Sequence, residues 1–122
     1  QGMINEIANI RILREKFKNR RRRIIFNNDG DDARYGCKKA TPDELLSQRT
    51  YPLVGTQVDS IFYSTGGVGF GVFNHRTVIG QVNTNREGSF INNVTGEFIE
   101  QGTDPLIIMV DFCNNHNIEI FW

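Results

Sequence analysis

Cysteine is scarce in this sequence: it has two, Cys37 and Cys113, 76 positions apart, with no second thiol or clustered histidine at metal-ligand spacing from either. That excludes a cysteine-built zinc site and leaves two readings, a pair of free or buried thiols or one disulfide between them. Long apolar runs are missing too. Nothing approaches the ~18 apolar residues of a membrane helix, and the N-terminus does not combine a basic start, an apolar stretch and a small-residue cleavage site. The chain therefore reads as soluble, with any export signal already absent. It is also short for one architecture: 122 residues make one domain with a single core, against the roughly 250 of a closed (β/α)8 barrel. Net charge is zero, with 14 Lys/Arg against 14 Asp/Glu.

The charge that is present is segregated. Residues 1–39 hold eleven Lys/Arg and five Asp/Glu, whereas residues 40–122 hold three and nine. Gln1, Gly2 and Met3 look like the remnant of a tag-removal site and a start methionine, with no information about the fold. From residue 3 to 19, Ile4, Ile7, Ile10, Leu13 and Phe17 recur at helical spacing, with Arg11, Arg14, Lys16 and Lys18 mostly off that stripe, which predicts an amphipathic helix with a basic end. Basic side chains at a helix C-terminus complement its dipole, so the run Arg20–Arg23 has a structural explanation before a nucleic acid or an acidic membrane is invoked. The chain divides into this helix, residues 1–21, and one domain, residues 22–122.

Arg23–Asn28 is a β-branched and aromatic run without alternation, as in a strand buried on both faces of a parallel sheet. It stops in the turn formers Asn28–Asp32. Thr41, Pro42 and Glu44 open a helix carrying Leu45 and Leu46, which Pro52 limits. Val58–Tyr63 is a second strand, followed by a long loop with glycines through Gly71, then Phe73, Asn74 and His75, and weakly patterned sequence over 76–95. Loops of this length tend to be functional or mobile. Residues 95–115 give a helix or helix pair, restarted at Thr103-Asp104-Pro105, and Ile118–Trp122 is a third strand. The expected fold class is α/β: a parallel βαβαβ unit preceded by a helix.

In parallel α/β architectures the ligand lies beyond the carboxyl ends of the strands. Asn27, Asn28, Asp29, Asp31 and Asp32 follow the first strand there, Tyr63, Ser64 and Thr65 the second, and His75 can arrive from the long loop. Amides, carboxylates and an aromatic face are what a sugar's hydroxyls and ring require. The same Asn-Asp-Gly-Asp sequence is also ordinary turn chemistry. A calcium loop is a third reading, without the downstream glutamate of that pattern. Adjacent aspartates on one loop seldom oppose each other across a glycosidic bond, so they are not assigned acid/base work. Gly67, Gly69 and Gly71 have G-x-G-x-G spacing and open no helix, unlike a dinucleotide fingerprint. His116 reads as a helix-end residue. Asn93-Val94-Thr95 fits the N-glycosylation pattern, a short match that arises often by chance.

The blocks Arg22–Asp32, Pro52–Tyr63, Gly102–Pro105 and Ile118–Trp122 resemble the N-terminal part of the bacterial glycosyl-hydrolase-like family ten barrel proteins. The resemblance spans about residues 22–122. It implies that the three strands open a TIM-type (β/α)8 barrel, here incomplete, with a glycoside or polysaccharide as ligand and the catalytic acids on later strands. The expected substrate-binding residues are Asn28, Asp29, Asp31 and Asp32, which the resemblance places on the sugar-binding rim, with Tyr63 and His75 from their positions after the second strand. No cofactor and no metal is expected. The expected partners are a carbohydrate and, through the open sheet edge of an incomplete barrel, a second copy of the chain, with no nucleic acid and no membrane. An extracytoplasmic or secreted setting is compatible with the resemblance. The competing expectation is a free-standing, non-catalytic α/β module that binds carbohydrate or protein.

Overall fold

A computed structural model of the chain describes residues 2–66 and 69–122. Gln1, in the expected tag remnant, and Gly67, the first glycine of the G-x-G-x-G run, lie outside the described residues. Helix α1 spans Gly2–Phe17 and strand β1 Ile25–Asn28; a single π-helical turn, Asp32–Gly36, follows. Helix α2 is Pro42–Arg49, and β2 is Ser60–Tyr63. The two-residue strands β3, Val72–Phe73, and β4, Gln81–Val82, lie in the long loop, ahead of α3 (Thr95–Glu100), α4 (Pro105–Asn115) and β5 (Glu119–Phe121).

The fold is a small mixed α/β domain whose main sheet is parallel, in the order β1-β2-β5. Ile25 pairs with Ser60 and Ser60 with Glu119; Phe26, Ile61 and Ile120 form the next rung, and Asn27, Phe62 and Phe121 the third. Side chains on successive rungs point to opposite faces. Phe26, Ile61 and Ile120 face the helices and join a core built with Leu45 and Leu46 of α2, Phe98 of α3, and Ile108, Met109, Phe112 and Cys113 of α4. The opposite face, with Ile25, Asn27, Phe62 and Phe121, is exposed. Thus β1, read as buried on both faces, is covered on one.

The helix starts follow their sequence signals. Thr41 Oγ1 accepts the Glu44 N–H at 3.2 Å with Pro42 at the first position, and Asp104 Oδ1 accepts the Ile107 N–H at 2.9 Å ahead of Pro105. His116 is the C-cap of α4, its Nδ1 2.8 Å from the Phe112 carbonyl oxygen. Helix α1 forms where its periodicity predicts, but none of its residues is buried. Part of the basic run is taken up within the fold: Arg22 pairs with Glu119 at 2.5 Å and Arg23 with Asp59 at 3.4 Å. Cys37 and Cys113 are buried and free rather than joined. Burial pushes their thiols up to about 12 and about 11, which keeps them protonated and unreactive.

The long loop is held by amides. Asn74, Asn83 and Asn93 are all buried. Asn93 Nδ2 donates to the carbonyls of Asn83 at 2.9 Å and Asn85 at 3.0 Å, so in the folded chain this nitrogen is committed and the glycosylation pattern at Asn93 is closed off. What reads as a weakly patterned polar stretch over 76–95 is a segment whose polar side chains serve as its interior.

Candidate functional site

The three parallel strands end on one rim, and their ends differ. After β1 the chain must turn sharply under the long loop. Gly30 makes that possible: its φ is +75°, and a side chain there would run into the carbonyl of Ser64 at the end of β2. Asn74 reaches in from the long loop and donates through Nδ2 to the Gly30 carbonyl at 3.0 Å, tying loop and turn together.

The polar residues of this turn converge on one cation that the sequence pattern did not single out, Arg49 at the end of α2. Its Nε donates to Asp32 Oδ1 at 2.7 Å, and one terminal nitrogen donates to Asp29 Oδ1 at 2.6 Å and Asn28 Oδ1 at 2.8 Å. Asn28 Nδ2 donates to Asp32 Oδ2 at 3.0 Å, and the Tyr63 hydroxyl reaches the same oxygen at 3.4 Å. Asn28 Oδ1 also accepts the Gly30 N–H at 2.8 Å. Asn28, Asp32 and Tyr63 are buried, with at most 3% of their surface exposed. Asp31 pairs with Arg34 of the π-helical turn.

These pairings account for the ionisation of the groups. The Arg49 hydrogen bond holds the Asp29 carboxyl below its usual range. Burial works against the charge on Arg49, but its hydrogen bonds to Asp29 and Asp32 outweigh it and raise the guanidinium further. Burial, then the charge of Asp32, pushes the Tyr63 phenol well above its ordinary value. A shallow groove of about 340 Å³ is lined by Asp29, Asp31, Asp32 and Arg49 together with Tyr35, Gly36 and Gln48. Among the described residues there is no group of three or more His, Cys, Asp or Glu side chains placed to hold a metal ion.

The ends of β2 and β5 carry a different chemistry. Phe62 and Phe121 lie side by side on the open face, ring centroids 4.5 Å apart. Trp122 stacks on Tyr63 at 4.5 Å and 6° between planes. Together with Asn27 and Ser64 these four aromatic residues line a hollow of about 210 Å³. His75 stands behind it, and the Trp122 Nε1–H donates to His75 Nδ1 at 3.2 Å.

Family models, curated proteins and solved structures give no match to this chain.

Of the six site residues expected from sequence, the structure brings Asn28, Asp29, Asp32 and Tyr63 together around Arg49, turns Asp31 to Arg34, and places His75 on Trp122. Phe62, Phe121, Trp122 and Arg49 were missed. Strand alternation from Ile61 in β2 and Ile120 in β5 would have placed Phe62 and Phe121 on the opposite face. Only the fold could show that this face lies open.

Proposed function

We propose that this chain forms the opening βαβαβ segment of a TIM-type α/β barrel and supplies one wall of a carbohydrate-binding cleft, without the acids that would cleave a glycosidic bond. The observation that carries the reading is the aromatic hollow at the carboxyl ends of the strands, where ligands bind in parallel α/β folds. Its six lining residues, Asn27, Phe62, Tyr63, Ser64, Phe121 and Trp122, include no carboxylate and no cation. Aromatic faces suit the C–H faces of a pyranose, while an amide and a hydroxyl serve its hydroxyls. At about 210 Å³ the hollow falls below the roughly 300–1,000 Å³ of complete ligand pockets, in keeping with one wall of a larger cleft.

Two features of the sheet support the barrel part of the reading. The strands follow chain order, and the packed helices cover one face while the apolar residues Ile25, Phe62 and Phe121 face outward on the other. In a barrel that second face is the packed interior. The carboxylates nearest the site, Asp29 and Asp32, are bound to one guanidinium, and Asp32 is buried. Neither is placed as a free general acid facing a second carboxylate across a substrate.

Trp122 is the chain's one tryptophan, so its emission reports directly on the hollow. Titration with cellohexaose and maltohexaose is expected to give saturable emission changes with at least one of them, shifted to about tenfold higher sugar concentration in Phe62→Ala. Flat titrations with both would sink the carbohydrate reading. A non-catalytic protein-binding module is the second reading, and the apolar stripe of α1 favours it: Ile4, Ile7 and Leu13 are each about half or more exposed, at 68%, 47% and 52%. Light scattering over a concentration series separates the two, since association lost in Ile7→Glu would assign that stripe to a protein contact.

A further inference from the structure

We infer that His75 is the positioning residue of the aromatic hollow: its unprotonated Nδ1 sets the Trp122 ring in place, and protonation of the imidazole releases it. The hydrogen-bond chemistry allows one assignment. An indole N–H only donates, so at 3.2 Å His75 Nδ1 must accept, and the neutral ring carries its proton on Nε2. A doubly protonated imidazole has two donors and no acceptor. It would then set a donor against the Trp122 N–H and place a cation beside the indole edge.

The indole is held on two sides, which makes the acceptor decisive for its place. Tyr63 fixes the plane by stacking at 4.5 Å, and His75 meets it edge-on, ring centroids 5.6 Å apart and 79° between planes. Stacking leaves rotation within the plane open, and the hydrogen bond removes it. The imidazole is itself held against Phe73 of β3, ring centroids 5.4 Å apart and 61° between planes.

The hydrogen bonds of the neighbouring charged and titratable groups run elsewhere. Arg76, the next residue, donates its backbone N–H to Asp104 at 3.1 Å and its guanidinium to the Ile99 carbonyl at 3.2 Å. Asp104 also caps α4. Behind the indole are Tyr63 and, beyond its hydroxyl, Asp32. Each of the two carboxylates already accepts other hydrogen bonds, so the Trp122 N–H has its acceptor in His75.

The local claim stands without any ligand; the claim that the pair tunes sugar affinity rests on the carbohydrate reading above. The test is tryptophan emission of the full chain, without sugar, between about pH 8 and about pH 5, the range in which an imidazole changes charge. The expected result is one reversible transition, kept in His116→Gln and abolished in His75→Gln, whose amide oxygen accepts without titrating. His75→Phe should give a pH-independent, shifted emission with unchanged far-UV dichroism. A transition that persists in His75→Gln, or a flat profile in the unmutated chain, would overturn the assignment. In cellohexaose or maltohexaose titrations, affinity should fall about fivefold on acidification, as expected for one lost hydrogen bond, and His75→Gln should hold it constant. A clean emission transition with no sugar response would leave the His75 assignment standing and remove the carbohydrate reading.

Discussion

The two halves of the rim are made from neighbouring residues and put to opposite use. At the end of β1, Asn28 and Asp32 turn inward and spend their polar atoms on Arg49, Gly30 and each other. At the ends of β2 and β5, Phe62 and Phe121 stand partly in solvent. A sequence reader expects the reverse, since asparagine and aspartate look ready for a ligand and phenylalanine looks like core. Hydrogen-bond satisfaction explains the inversion. A tight turn buried under a long loop leaves polar groups away from water, and leaving them unpaired costs more than ordering the side chains that pair them. The aromatic residues lie open because the helices cover one face of the sheet only.

Removing the centre of the polar half should have the largest effect. Asp32→Ala leaves Arg49, Asn28 Nδ2 and the Tyr63 hydroxyl short of a shared acceptor, and is expected to lower stability by about 3 kcal/mol, measured by urea unfolding. A loss under about 1 kcal/mol would mean that the network contributes little and that the turn is held by Gly30 and Asn74 alone.

Adjacent residues give a sharper contrast. Asn28→Ala should lose about 2 kcal/mol of stability, whereas Asn27→Ala, exposed on the open face, should stay within about 0.5 kcal/mol. Equal effects would erase the distinction between the two halves. On the aromatic side, Phe62→Ala should weaken oligosaccharide binding about tenfold, or about 1.4 kcal/mol, while changing the unfolding midpoint little; unchanged affinity would move the ligand elsewhere.

Acid should separate the halves more gently. The Asp29, Asp59 and Glu119 carboxyls are held below their usual values, by hydrogen bonds from Arg49, from the Arg23 backbone and side chain, and from Arg22 respectively. A carboxyl whose folded pKa is depressed contributes stability that is fully present above its unfolded value, near pH 4, and is lost as pH falls through the lower folded value. Unfolding midpoints should therefore fall only below about pH 4 on this account. Arg22→Gln should shallow that decline by removing the share due to Glu119. An unaltered slope would show that Glu119 keeps its ionisation without Arg22. Occupancy of the aromatic hollow, lined by no carboxylate, should owe any acid sensitivity to His75.

Much of the fold was legible because local signals agreed with it. Thr41 and Asp104 cap the helices they announce, with Pro42 and Pro105 behind them, and the strands fall inside the apolar runs ending at Asn28, Tyr63 and Trp122. The π-helical turn at Asp32–Gly36 and the short strands of the long loop carry no comparable signal, since they are set by what packs around them. For the site, sequence named the polar residues that follow β1 and β2, but neither their orientation nor the aromatic residues and the arginine beside them. Arg49 lies 17 positions from Asp32, and Trp122 lies 47 from His75. No periodicity links such pairs.

The sequence by itself determined the α/β order, the helix starts and the end of the sheet at which polar residues gather, because capping, turn formation and burial periodicity act over a few neighbouring residues. Tertiary structure alone decided which of those residues face one another. Parallel crossovers bring the ends of β1, β2 and β5 together across long stretches of chain. Only then could hydrogen-bond satisfaction turn Asn28 and Asp32 inward and leave Phe62 and Phe121 at the surface.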